Sequence, residues 1–329
     1  MKTATSKTGL FSFYLADSSW QSKNTRLGEE KLAQKIHFGT NSTGCRYVII
    51  GISEDIGPQM NGGLPGSNKG FQSFCSAFQN IQSNRFLKGD EVGILGEIKQ
   101  NQPFESIVKC ANWVEELDDF ILHVLGEFCP ENQVIITIGG GHNNAYPLLK
   151  HTKQTRRQSL TSINIDPHAD CRKTDYRHSG NPFSFAIQEK TIDRYRIFGL
   201  HESYNNEYIL DFIQQHEIEA SYFEEFLDNE NAFWEQLTEF TESCPTNSSY
   251  ALDIDLDAIA FQPSSAISPS GFQIEEIRKM IRILAGSLPI SSFHLPEGAP
   301  KTAEEEKAFG KMVSYFVSDF IKQQNKLNK

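Results

Sequence analysis

Three features of the 329-residue sequence predict an α/β protein, a parallel sheet with helices on both faces. Short, almost continuously apolar stretches such as RYVIIGI (46–52) and QVIITIG (133–139) recur along the chain. Between them lie segments whose apolar residues step by three or four, the stripe of a helix buried on one side. No linker rich in Pro, Ser or charge and no internal repeat divides the chain. One domain over residues 41–329 is therefore expected, with residues 1–40 as a loosely attached N-terminal extension.

Taken in order, residues 46–52 and 91–97 (EVGILGE) are the first two expected strands. A Gly-rich loop, EDIGPQMNGGLPGS, and a short helix over FQSFCSAFQNI separate them. Ile107, Ala111, Val114, Leu117, Ile121, Val124 and Phe128 predict one amphipathic helix over 104–128. Next come strand QVIITIG, a helix from 143, strand LTSINID (160–166), strand YRIFGLH (195–201) and helix EYILDFIQQ (207–215). A strand near SYF (221–223), a helix around 230–241 and strand SYALDID (249–255) follow. Helix IEEIRKMIRILAG, strand SSFHLP and helix AEEEKAFGKMVSYFVSDFIKQQ complete the order.

The charge balance excludes some classes of function. A formal net charge of -11 argues against a phosphate-backbone partner, which needs a basic footprint. No stretch approaches the ~20 apolar residues of a membrane span. The first 20 residues lack the sustained apolar core of a signal peptide. Six scattered cysteines without CxxC pairs fit reduced thiols in a cytoplasm rather than a zinc ribbon. Cys171 has the opposite parity from Asp170, so its thiol is expected to point away from any site that Asp170 faces.

Ligands of open parallel sheets bind at the carboxyl ends of the strands, and several polar clusters fall there. QVIITI runs into GGGHNNAYP, which brings His142; SINI runs into DPHADCRKT, which places Asp166, His168 and Asp170 at alternate positions. SYAL runs into DIDLD, where Asp253 and Asp255 share parity, and FHLP runs into Glu297. Two carboxylates on one face repel unless a cation lies between them. Two imidazoles and four carboxylates form an oxygen-rich donor set that suits Mn²⁺ and exceeds the four ligands of a mononuclear zinc site. A pair of ions roughly 3.5–4 Å apart, sharing carboxylates and holding a hydroxide, points to hydrolysis.

In order and spacing, GGGH, DPHAD, DIDLD and E-x-x-P (Glu297 to Pro300) resemble the motifs of the binuclear manganese ureohydrolases, which include arginase, agmatinase and formimidoylglutamase. The resemblance covers roughly residues 45 to 320 and implies a three-layer α/β/α domain on an eight-stranded, mainly parallel sheet. It implies that one manganese is held by His142, Asp166, Asp170 and Asp253, and the other by His168, Asp166, Asp253 and Asp255. It also implies assembly into a homo-oligomer, a trimer or hexamer. Arg172 in D-C-R, the S-G-N-P-F of 179–183 and the NGGLPG loop look most like the formimidoylglutamase branch. Departures from that branch are Asn181 for its usual Thr, Leu64 where Arg is common, Pro167 for Ala, and Ala258 at the last position of DxDxxD.

The expected reaction is hydrolysis of a linear amidine: N-formimidoyl-L-glutamate and water give L-glutamate and formamide. The metal-held hydroxide would attack, Asp170 would carry its proton to the leaving amine, and Glu297 would hold the amidinium. Arg172, with Ser179 and Asn181, would receive the glutamate end, since an Arg fork binds a carboxylate bidentately. His178, beside Ser179, is expected at the surface. The alternatives are a guanidino hydrolase that releases urea and a non-catalytic relative that only binds a ligand.

Overall fold

The computed structural model describes residues 2–22, 25–129 and 133–327, which form one eleven-stranded sheet flanked by helices. The strands are β1 (Lys2–Thr5), β2 (Phe11–Leu15), β3 (His37–Phe38), β4 (Tyr47–Ser53), β5 (Val92–Gln100) and β6 (Val134–Ile138). They continue with β7 (Leu160–Ile165), β8 (Arg194–Leu200), β9 (Glu219–Tyr222), β10 (Ser249–Ile254) and β11 (Ile290–Leu295). The helices are α1 (Ile56–Met60), α2 (Gly70–Phe78), α3 (Trp113–Phe128), α4 (Ala145–Arg156) and α5 (Pro182–Gln188). After them come α6 (Glu207–Gln215), α7 (Phe223–Asp228), α8 (Glu230–Ser243), α9 (Ile274–Ser287) and α10 (Ala303–Leu327).

Eight strands run parallel in the order β5-β4-β6-β11-β10-β7-β8-β9, the number the family resemblance implies, and the two-residue β3 also pairs parallel with β5. Side chains of β4 alternate between the two faces. Tyr47 and Ile49 join a core under α2, α8, α9 and α10, whereas Val48, Ile50 and Ile52 pack with Val114, Leu117 and Ile121 of α3. That division makes the three layers. Helices α4, α5 and α6 extend the second face over β7 and β8.

The remaining strands come from residues 1–40, which were expected to be only loosely attached. Strand β2 instead pairs antiparallel with β5, and β1 with β2. The outer edge of β5 is thereby covered, and Phe11 and Phe13 are fully buried. A second departure concerns α3, which starts at Trp113 rather than near 104. Ile107 and Val108 are exposed, so no packing rewards a helix there.

The chain enters the central positions of the sheet late. β10 and β11 fill the gap between β6 and β7, so the neighbours β6-β11-β10-β7 release their four loops at one rim. These four loops carry the polar clusters.

Candidate metal centre

The site begins where β6 ends. Gly139 and Gly140 take φ of +85° and +73°, which lets the chain turn sharply into His142, a fully buried residue. Buried Glu54 braces this turn. One of its oxygens accepts from Gly141 N (2.7 Å) and Asn144 Nδ2 (2.8 Å), and the other from Ile56 N (2.7 Å) and Gly57 N (3.1 Å).

Three carboxylates from two other loops converge on the His142 imidazole. Its Nδ1 lies 3.0 Å from Asp170 Oδ2, 3.1 Å from Asp255 Oδ2 and 3.2 Å from Asp166 Oδ2. One ring N–H can satisfy only one of them. The spacing is that of adjacent ligands about 3 Å apart around a cation with bonds of about 2.1 Å. Burial lowers the basicity of the His142 ring, but hydrogen bonds to the carboxylates of Asp166, Asp170 and Asp255 outweigh it and hold the pKa well above 6.5. Burial, followed by repulsion from Asp257 and Asp166, pushes Asp255 well above the usual carboxylate range. Asp170 is raised by burial and by Asp166. The cluster carries more negative charge than its imidazoles compensate, which is the electrostatic signature of a cation site.

His168 lies on the outer side of this cluster, its Nδ1 3.5 Å from Asp166 Oδ1 and its ring stacked on Tyr204. Burial works against its charge, but Asp166, Asp257 and Asp170 raise its pKa to about 9. Asp257 is buried and lines the same pocket as His168, Asp170, Asp255 and Glu297. The pocket encloses about 260 Å³.

Asp253 is in a different place from the one expected. Strand β10 runs on to Ile254, so Asp253 is an interior strand residue, and its register partner on β11 is His294. Asp253 Oδ1 accepts from His294 Nδ1 at 2.9 Å and is 3.9 Å from His142 Nε2. It therefore stands behind His142, on the side away from the three carboxylates. The pair that reaches the rim is Asp255 and Asp257, two positions later. The row Thr137, His294, Asp253 and Asn164 crosses the four central strands in register. Asn164 Nδ2 at its end donates to Asp166 Oδ2 at 2.9 Å. Apart from Asp253, this buried polar row, including His294, lay within stretches that read as apolar strand.

Glu297 follows β11 and has φ of +69°; Asp170 has +49°. Both are left-handed conformations that cost a side-chain-bearing residue of order 1–3 kcal/mol and that gather at functional sites. Glu297 Oε1 accepts from His142 N at 2.6 Å, while the buried Oε2 has no hydrogen-bond partner among the described residues. Burial, with Asp255 and Asp257 nearby, raises its pKa well above 4.5.

Of the residues expected to receive the substrate, Arg172 and Ser179 line the pocket. Arg172 is exposed, and its guanidinium forms no ion pair or hydrogen bond among the described residues. Asn181 does not face the pocket. Its Oδ1 accepts from Arg177 Nη1 and His178 N, both at 3.1 Å, and its Nδ2 donates to Lys173 O and Tyr176 O. Every polar valence of Asn181 thus braces the 172–181 loop. His178 is buried rather than superficial, accepting from Gly180 N at 3.0 Å. Cys171 is buried in the apolar cluster with Phe183 and Tyr195.

The pattern of the arginase family matches residues 45–321. A formimidoylglutamase of Macrococcus caseolyticus is 26% identical over 174 residues, which are 52% of this chain and 51% of that protein. One of Streptococcus pyogenes is 26% identical over 178 residues, with the same coverage. The chain spans about half the length of the curated relatives it matches. Among solved structures, Bacillus subtilis formimidoylglutamase superposes with a TM-score of 0.74 at 16% identity, covering 92% of this chain and 95% of that one. The proclavaminate amidino hydrolase of Streptomyces clavuligerus gives 0.72 at 18% identity, covering 94% and 99%. The formiminoglutamase of Trypanosoma cruzi with Mn²⁺ gives 0.69 at 19% identity, covering 89% and 97%.

Proposed function

The chain belongs to the arginase family, and from that premise we propose that it is a manganese-dependent hydrolase of linear amidines, acting on N-formimidoyl-L-glutamate. The observation that carries this reading is the convergence of His142 Nδ1 with three carboxylate oxygens at 3.0–3.2 Å. The donors fit a pair of Mn²⁺ ions: one held by His142, Asp166, Asp170 and Asp255, the other by His168, Asp166, Asp255 and Asp257. Asp253 is replaced in both sets; its Oδ1 is bonded to His294 Nδ1 and lies 3.9 Å from His142 Nε2, too far for a hydrogen bond. When bound, such ions supply Lewis-acid charge and make water nucleophilic at neutral pH.

The chain's own residues do the rest. The partnerless Glu297 Oε2 accepts N–H bonds from the amidinium and fixes its carbon in the pocket. Asp170 takes the proton of the attacking water and delivers it to the departing glutamate nitrogen, so formamide and glutamate leave. Arg172, without an ion pair among the described residues, binds a substrate carboxylate, and Ser179 with Asn61 lines the wall near it. The names of the curated relatives add support for this substrate. Six free cysteines fit a reducing compartment such as the cytoplasm, and a trimer or hexamer is the assembly we expect.

A urea-releasing reading is favoured by one feature: Glu297 and its acidic neighbours would hold a guanidinium as readily as an amidinium. The deciding experiment supplies manganese-loaded protein with formimidoylglutamate, arginine and agmatine in parallel. Formamide and glutamate from the first substrate are expected; urea from either of the others would overturn the assignment. No turnover of any of them would favour the non-catalytic relative.

A further inference from the structure

The amino-terminal ends of β4 and β5 open onto a second cavity, at the opposite end of the sheet from the metal centre. It measures about 770 Å³, and among its described lining residues six basic side chains face two acidic ones. In a chain of net charge -11, such a surplus of four positive charges in one cavity is a local reversal of sign. We propose that this cavity binds a small multivalent oxyanion, a phosphate-like or polycarboxylate metabolite.

Both acids are hydrogen-bonded, Asp319 by cations and Glu91 by a neutral amide. Asp319 accepts from Arg278 Nε at 2.7 Å and from Arg282 Nη1 at 3.0 Å. Glu91 accepts from Asn325 Nδ2 at 2.8 Å. Arg46 is held in place by neutral acceptors only, Asn325 Oδ1 and the Gln324 carbonyl, both at 3.3 Å. Its charge is thus positioned but not neutralised. Arg85, Lys88, Lys322 and Lys326 form no ion pair among the described residues. Lys322 is half-buried, and burial together with Arg278 and Arg282 lowers its pKa against the opposing pull of Asp319. An arriving anion would relieve this repulsion, and guanidinium forks from Arg46 and Arg85 suit planar or tetrahedral oxyanions. The cations come from four separate segments: the start of β4, the 85–88 loop, α9 and α10. Folding therefore brings them together, as no single basic run in the sequence does.

The test is calorimetric titration of the full, metal-loaded chain at low ionic strength with two probes. Sodium sulfate stands for compact oxyanions and tricarballylate for polycarboxylates; saturable 1:1 binding of either one supports the site and identifies its chemistry. Arg85→Glu/Lys88→Glu, confined to exposed loop positions, should weaken binding at least tenfold without altering metal content. Lys322→Gln should weaken it independently. The proposal is overturned by three results: no saturation by either probe, equal affinity in both variants and the parent, or loss of binding in Asp255→Asn. The last would place the anion at the metal centre.

Discussion

At the scale of single residues, the decisive position is the second acid of DIDLD. Asp255 meets His142 Nδ1 at 3.1 Å, whereas Asp253 is hydrogen-bonded to His294. Asp255→Asn should therefore retain fewer than one manganese per chain by elemental analysis and lose at least ~100-fold in kcat/KM. Asp253→Asn should keep both ions, because Asp253 is bonded to His294 and lies 3.9 Å from His142 Nε2, too far for a hydrogen bond. Equal metal loss in the two variants would reverse the assignment. Arg172→Gln should raise KM for formimidoylglutamate by about 10–100-fold with little change in kcat, since its contact is the same in ground and transition states. His178 offers a pH readout. Burial, reinforced by Arg172 and Arg177 and opposed by Asp175, lowers its pKa from 6.5 to about 4, so the folded protein binds fewer protons than the unfolded chain. Its neutral form carries no penalty above about pH 6.5; stability falls as pH drops towards about 4 and is flat below. Relative to His178→Gln, the parent should lose about 3 kcal/mol across that window in denaturant titrations.

Among the elements, the 172–181 loop shows how sequence can name a residue and mistake its task. Asn181 was expected against the substrate because it precedes Pro182 in the S-G-x-P-F segment. Its amide instead ties Arg177, which pairs with buried Asp118 of α3 at 2.8 Å and donates to the Asn143 carbonyl beside the metal loop. Asn181→Ala should cost about 2–4 kcal/mol in chemical denaturation, because several buried partners lose their hydrogen bonds at once. A KM change without a stability change would return it to the pocket wall. The strand that carries DIDLD tells the same story. The sequence places strand over 249–255 yet reads Asp253 as a rim residue; pairing with β7 and β11 holds Asp253 inside β10 and leaves Asp255 and Asp257 at the rim.

The whole molecule is organised around the strain of five acids at one rim, buried Asp166, Asp255, Asp257 and Glu297 with half-buried Asp170. Cations bound only by the folded state stabilise it by mass action. Chelator treatment should lower the melting temperature by several degrees, with Mn²⁺ restoring it. Raised carboxyl pKa values at Asp170, Asp255 and Asp257 mean that these groups must shed protons for the metal. Apparent affinity for Mn²⁺ should therefore climb as pH rises from 5 to 8; an invariant affinity would contradict the carboxylate set.

Much of this was legible beforehand. Periodicity alone located most strands and helices, and the polar residues that follow strand ends marked the centre; alternation did not, because β7 ends at Ile165 and Asp170 lies in a loop at φ +49°. Long-range pairing supplied the rest. Strands β1 and β2 find their partner only once the edge of β5 exists, and His294 meets Asp253 only across neighbouring strands. The basic cavity gathers residues from Arg46 to Lys326. Contacts between distant parts of the chain leave no local pattern, since their energy comes from neighbours that are absent until the sheet has closed.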